Sequence, residues 1–354
     1  MPRTRIIQAS FTSGELDPRL AARADARIYY AGAERMKNVL VLPMGGFRRR
    51  PGQQYLATIA DAGSGARLVP FSFNTEQDYL MVFTNGVIRI FKDDALVHTI
   101  SSSVPWTGAQ VEQINWVQSA DTLIVFHPDV QPYKLVRGGS HTSWTLSAIT
   151  FSNIPTYDFG SGAEAVISVT RGWPSCGTFH QGRLFMGGLK SRPATILGSK
   201  VGSFFDLNKG TSLADEGIDV TLDTDQVNAI YNLASGRHLT VFTSGSEHAV
   251  MVAPPITPTN IAVSQQSARG SKPYVRPVEV DGAFLFVQRG GKAIREFLFT
   301  VTEDAYAANI LSLLSPHLIK NPRDLDIRKG NSLDDADYVI AVNADDGTVT
   351  LLNT

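Results

Sequence analysis

Seven histidines, one cysteine and a run of alternating aspartates are the residues of this chain that could carry chemistry. A zinc centre needs two or more such ligands at short fixed spacing, and the sequence has no His-x-x-x-His pair, while Cys176 has no second cysteine to join it. Asp219, Thr221, Asp223 and Asp225 alternate as calcium ligands do. The loop glycine and closing glutamate of an EF-hand are absent, so the run reads as an exposed acidic strand face. His180, in FHQGRLF, has no neighbouring carboxylate to orient it as a general base and reads as a strand histidine. No serine has the flanking glycines of a nucleophile elbow. Gly290-Gly291-Lys292 continues into Ala293 and lacks the leading glycine of a phosphate loop. Gly160-x-Gly162-x-x-Ala165 has a dinucleotide-like spacing with no helix pattern behind it. Trp106, Trp116, Trp144 and Trp173 all stand outside the Ser-x-Asp-x-Gly-x-x-Trp turns of propeller glycosidases. The expectation is a protein without catalytic residues, cofactor or metal.

The elements that would hold such residues are strands. From Arg67 onward apolar and polar residues alternate at period two, and turn residues interrupt them every six to ten positions. The clearest unit, Arg67 to Ile100, runs RLVPFSF, DYLMVFT, Asn85-Gly86, VIRIF, Asp93-Asp94, ALVHTI, which predicts a four-stranded antiparallel meander with a type I′ turn at Asn85-Gly86. The second strand of such a unit recurs near residues 79, 122, 183, 238, 284 and 338. Four strands per roughly 40 to 50 residues is the period of a β-propeller blade. Radial stacking would cover both faces of each meander and leave only short edges, whereas a β-sandwich, the competing architecture, buries one face of each sheet. The third unit is the weakest, because Gly172 to Gly177 breaks its alternation. The last unit stops after its third strand, and the N-terminal IIQAS is one candidate for the fourth.

Two stretches have helical spacing. Asp17 can cap and Pro18 can open a helix running to about Lys37, with Leu20, Ala24, Ile28 and Ala31 on one stripe. Asp304 to Leu314 carries Ala307, Ile310, Leu311 and Leu314 on another, ended by Ser315-Pro316. The expected fold class is therefore all-β. It combines a β-propeller-like array of about six four-stranded antiparallel meanders, the last incomplete, over 61–354 with an N-terminal helical arm and Arg-rich turn over 1–60, and one further short helix.

Composition narrows the partners. With 354 residues, 43% hydrophobic and 18% charged, the chain can bury a sizeable core. Its net charge of -1 supplies no global surplus to grip a polyanion. No apolar run reaches the roughly 18 residues of a membrane span or forms a signal peptide, so the expectation is a soluble protein made in the cytoplasm, without membrane insertion. The charge is unevenly placed. Residues 1 to 60 hold ten basic residues, Arg3, Arg5, Arg19, Arg23, Arg27, Arg35, Lys37, Arg48, Arg49 and Arg50, against Glu15, Asp17, Asp25 and Glu34, a surplus of six; the remainder is at −7. A basic arm on a mildly acidic body suits docking between protein surfaces.

The stretch FTSGELDPRL, then NVLVLPMGGFRRRPG, resembles the opening of the tail nozzle proteins of short-tailed bacteriophages, also called tail tubular protein B. Phe11, Gly14, Glu15, Pro18, Asn38, Gly45, Gly46, Arg49, Arg50, Pro51 and Gly52 carry the likeness, and GRLFMGG, FTSGSE and the segment from Pro277 to Phe297 extend it. The resemblance implies a virion structural protein of the tail, made in the host cytoplasm, whose copies close a ring, a homohexamer, below the portal and adaptor. Tail fibres or spikes would attach to it, and genomic DNA would pass through its lumen without sequence-specific binding. Phe11, Glu15, Asp17, Arg19, Arg23, Arg48, Arg49 and Arg50 are the expected subunit or adaptor interface. A monomeric β-propeller interaction module is the alternative.

Overall fold

The computed structural model describes residues 7–224, 228–330 and 336–353. Arg3, Arg5, Ile6 and Asp225 lie outside the described residues. The chain forms two compact units, Tyr55–Tyr274 and Met1–Gln54 with Val275–Thr354.

The architecture is all-β, with six meander sheets of β-propeller blade type. In the first unit, blade 1 is Arg67–Asn74, Gln77–Thr84, Val87–Lys92 and Ala95–Ile100; blade 2 is Asn115–Ser119, Thr122–His127, Val130–Arg137 and Trp144–Ala148. Blade 3 is Cys176–His180, Arg183–Gly187, Thr195–Gly198 and Ile218–Thr221; blade 4 is Ile230–Ser235, Leu239–Thr243, Glu247–Val250 and Val263–Ser267. The second unit holds blade 5, Val278–Val280, Ala283–Val287, Ile294–Thr300 and Ala305–Ile310, and the three-stranded blade 6, Pro322–Arg328, Tyr338–Asn343 and Val349–Asn353. Of the six hairpin starts read from the sequence, five fall on the second strand of a blade and the one at 238 falls one residue before it.

Within each unit, successive blades pack through their faces. One apolar cluster joins blades 1 and 2 around Phe71, Phe83, Trp106 and Trp116, and another joins blades 2 and 3 around Phe126, Leu184 and Met186. A third joins blades 3 and 4 around Phe185, Ile196 and Val241, and Leu285, Ile294, Leu325 and Val339 join blade 5 to blade 6. First strands of consecutive blades lie side by side: Asn115–Ser119 by Cys176–His180, Cys176–His180 by Ile230–Ser235, and Val278–Val280 by Pro322–Arg328. Blades 2 and 3 are therefore covered on both faces, the arrangement that distinguishes a blade from a sandwich layer.

Five expectations need correction. No helix spans Asp17 to Lys37. Only 3-10 turns form, at Pro18–Leu20 and Arg27–Ala31. Asp17 does cap the first, but Ala22 adopts φ 66, a left-handed conformation that an α-helix cannot contain, and Arg23 pairs with Asp25 two residues on, off any shared helical face. Asp304 to Leu314 is not a helix either. Ala305–Ile310 is the fourth strand of blade 5 and pairs along Ile294–Thr300, with Tyr306 stacked on Phe297 at 4.6 Å, and only Leu311–Leu314 turns as 3-10. Pairing satisfies six backbone residues at once, which outweighs a weak local helical pattern. Asp219 is not on an exposed acidic face, since its side chain is buried and paired with Arg192 at 3.1 Å and Lys209 at 3.3 Å. At Asn85-Gly86 only Gly86 has positive φ, so the turn is not type I′; the Asn85 side chain instead accepts the Gly108 N–H at 3.1 Å. Of IIQAS, residues 7–10 form no strand beside blade 6.

Candidate interaction surface

The arm folds onto the last two blades of its own unit. Gly14–Glu15 pairs in parallel with Gly32–Ala33, and Val39–Val41 pairs with Phe47–Arg49 as a short hairpin. Leu40 packs with Ala336 and Tyr338, and the Val41 carbonyl accepts from the Tyr338 hydroxyl at 2.7 Å and from Asn353 Nδ2 at 3.4 Å. Phe11 donates its N–H to Gly45 O at 2.7 Å and meets Phe47 edge to face at 5.0 Å. Gly45 turns the hairpin at φ 94, and a Cβ there would stand 2.8 Å from Ser10 Oγ. Only glycine fits both conditions.

An acid–histidine cluster clasps the arm's start. Glu15 Oε2 accepts the Met36 N–H at 2.6 Å, and Glu15 Oε1 lies 3.0 Å from His317 Nε2. Asp17 Oδ2 lies 3.6 Å from the buried His317 Nδ1, and the Asp17 N–H donates to Leu314 O at 2.9 Å. The Ser315 hydroxyl donates to Glu15 O. Arg19 grips Asp17 bidentately, Nε to Oδ1 at 2.8 Å and Nη2 to Oδ2 at 3.1 Å. That guanidinium, with the Arg19 backbone N–H, lowers the Asp17 pKa to about 2. In blade 6, Lys320 and Thr348 do the same for Asp346, also to about 2.

The sign follows from linkage. A carboxylate whose pKa is depressed on folding contributes stability that is present above its unfolded value and lost as pH falls through the folded value. The Asp17–Arg19 turn at the start of the arm is therefore expected to hold at pH 4 and to loosen as pH falls toward 2. Pepsin cleavage between residues 11 and 36 should accelerate over that interval in the native chain, and Asp17→Asn should remove most of the step. A native profile flat from pH 4 to pH 2 would contradict the Asp17–Arg19 pairing.

The interface residues expected from the sequence thus divide. Glu15 and Asp17 are turned inward, and Phe11 braces the hairpin. Arg19 and Arg23 are exposed but committed to Asp17 and Asp25. Arg48, Arg49 and Arg50 are all exposed; Arg48 stands opposite Leu40 in the hairpin register and Arg49 opposite Val39. Arg50 Nε donates to Asn38 Oδ1 at 2.9 Å, and Asn38, Arg49, Arg50, Pro51 and Gly52 enclose a cleft of about 240 Å³. Sequence reading missed His317 and Met44. His317 has no signal near the arm, because 302 residues separate it from Glu15. Met44 carried one, an apolar residue at a glycine turn beside three arginines.

The other chemical candidates are elsewhere and apart. Burial lowers the pKa of His180, in the other unit, and His238 adds to this; its Nδ1 lies 2.8 Å from Ser235 Oγ. Gly160 and Gly162 donate their N–H groups to Asp158 Oδ1 in a ribbon turn, not at the start of a helix. Cys176 is buried, which pushes its thiol pKa up to about 12. Among the described residues no three His, Cys, Asp or Glu side chains gather as metal ligands, and no helix is long and apolar enough to cross a membrane.

No protein-family model matches the chain, and no curated protein matches it. Among solved structures it is similar to the β-propeller domain of Cps50 (Swd1) from Myceliophteria thermophila, at 8% identity and TM-score 0.46, over 77% of this chain and 79% of that one. It is also similar to the computationally designed Ika8 protein, at 10% identity and TM-score 0.43, over 80% and 70% of the two chains. A third is BBS1N in complex with ARL6DN, at 14% identity and TM-score 0.41, over 80% and 77%.

Proposed function

We propose that this chain is a structural protein that works by docking: a β-propeller whose arm presents a basic, apolar-tipped hairpin to another protein surface. The observation that carries this reading is the hairpin itself. Its backbone is anchored on blade 6 through Val41, while Met44, Phe47, Arg49 and Arg50 are exposed. Methionine, aromatics and arginine are the residue types enriched in the cores of protein interfaces.

Within that class, we infer the more specific role of a tail nozzle ring subunit in a short-tailed phage virion. It would sit below the portal and adaptor with fibres or spikes attached, and genomic DNA would pass through its lumen. Support comes from the residues that carry the resemblance. Glu15 clasps His317, Pro18 opens a 3-10 turn, Asn38 orients Arg50, and Gly14 and Gly45 take positive φ. The likeness therefore falls on a folded arm with defined contacts. A near-neutral chain with an acidic body also suits a lumen through which duplex DNA slides, since each basic group facing it would add counterion-release attraction.

Solution mass and particle images test both levels. A ring subunit should sediment as a closed multiple of 38.4 kDa and show a ring in low-resolution images. A 38.4 kDa monomer that binds a protein partner would leave the interaction module and remove the ring. A monomer that binds no protein while hydrolysing glycosides or esters would overturn the docking reading altogether.

A further inference from the structure

We propose that the arm hairpin is a receptor for the Val301–Asp304 turn of a second copy of this chain. The inference rests on the docking reading above and names the partner for it.

The hairpin side has two parts. Met44 is 83% exposed and Phe47, with Phe11 against one edge, 50% exposed, and together they form an apolar tip. Among the described residues Arg49 has no ionic partner, and Arg50 donates through Nε to Asn38 Oδ1 and through Nη1 to Pro51 O at 3.5 Å, with no carboxylate on it. From Lys37 to Ala60 the sequence has no carboxylate, so the segment itself is uniformly basic. The surface fits a short acidic segment that carries one apolar side chain: guanidinium forks take carboxylates bidentately, and the tip takes the aliphatic group. Because the hairpin is fixed by Phe11, Gly45 and Tyr338, little ordering is needed on binding.

The chain presents such a segment. Val301 is 76% exposed in the turn between the third and fourth strands of blade 5, followed by exposed Glu303 and Asp304, neither of which has a basic partner among the described residues. Among other acidic turns, Asp93 pairs with Lys92 and Asp215 lies 3.7 Å from Lys200 Nζ, while the turns at Glu76 and Asp281 each offer a single exposed carboxylate in place of the adjacent pair Glu303-Asp304. The uneven charge points the same way, since the surplus of six in residues 1 to 60 faces a deficit of seven in the rest. Two different patches meeting head to tail make a heterologous contact that propagates around a ring or along a filament. A duplex DNA partner fits less well, because phosphates offer nothing to Met44 and Phe47 and the acidic body repels them.

Charge swapping tests the pairing on the full chain by sedimentation velocity. One variant carries Arg49→Glu with Arg50→Glu, the other Glu303→Arg with Asp304→Arg. Each alone sets like charges against each other and should self-associate at least about ten-fold more weakly than the native chain. An equimolar mixture restores opposite charges at every contact and should recover assembly. Unchanged melting temperature checks folding, and Arg49→Glu alone keeps the test open should the Arg50 change disturb the hairpin. A mixture no more associated than its components would overturn the proposal, as would variants that assemble like the native chain, although that second result leaves docking intact. If the hairpin variant loses only the capture of a different protein, the second copy is the wrong occupant. A native chain that stays monomeric and binds no protein would sink both inference and reading.

Discussion

Phe126→Ala is expected to destabilise the Tyr55–Tyr274 unit by about 3–5 kcal/mol, the cost of emptying a rigid aromatic site, and to lower its melting temperature by roughly 10 °C. Phe126 is fully buried on the second strand of blade 2, and its ring fills the space left by Gly177 on the first strand of blade 3. A Cβ at Gly177 would stand 2.6 Å from Phe126 Cζ and 3.1 Å from Phe185 O. That glycine also explains why the third unit looked broken in the sequence. The position needs no side chain because the neighbouring blade supplies one. Gly177→Ala should therefore destabilise by overpacking, about 1–3 kcal/mol, while combining it with Phe126→Leu should cost less than the two singles added. Chemical denaturation of the four variants measures the coupling. Strict additivity would mean that the two positions do not share one packing site and would undo this account of how blades 2 and 3 join.

The second large effect is expected at Arg183, in the GRLFMGG stretch. Its side chain is 1% exposed and donates to the carbonyls of Ser199 at 2.6 Å, Glu216 at 2.5 Å and Ala214 at 2.5 Å, with Asp215 O at 3.4 Å. Burial lowers its pKa, against the opposing effect of Asp215. The guanidinium thus gathers the long connection between the third and fourth strands of blade 3, holding backbone acceptors that have no strand partner. Arg183→Met keeps the apolar stem and removes this donor from the Ser199, Ala214 and Glu216 carbonyls, at about 1–3 kcal/mol for each buried one left unpaired, while Asp215 O keeps the Val201 N–H. Arg183→Lys keeps the charge without the planar fork and should rescue little. Hydrogen exchange at residues 214–217 and protease cleavage between 199 and 217 should both accelerate by more than ten-fold in either variant, on the order of the lost bonds. Native-like protection in Arg183→Lys would show that charge, not the fork, holds the connection.

These two sites mark where sequence reading works and where it fails. Six blade hairpins were legible because a hairpin is a local object, with apolar residues at period two and turns such as Asp93-Asp94 or Asp281-Gly282 in which both central residues take positive φ. The third strand count of blade 6 was legible for the same reason. The arm misled because Asp17-Pro18 is a genuine capping signal, honoured by the structure for only three residues before Ala22 turns left-handed. Ala305–Ile310 misled because its alanines satisfy a helical stripe as readily as a strand, and only the neighbouring Ile294–Thr300 chooses between them.

For the candidate surface, the basic residues and their place near the N-terminus were readable, and their division was not. Nothing in the spelling of FTSGELDPRL says that Glu15 and Asp17 turn inward to a histidine 302 and 300 residues away while Arg49 stays in solvent. By itself, the sequence determined the strand content, the blade period and the uneven charge, because these depend on residues within one turn or one hairpin of each other. Only the tertiary structure decided which acids are spent on His317 and Arg192 and which remain outward at Glu303 and Asp304. The physical reason is that burial and ion pairing are set by which distant segments share a surface, and that information appears only once the chain has closed its long loops.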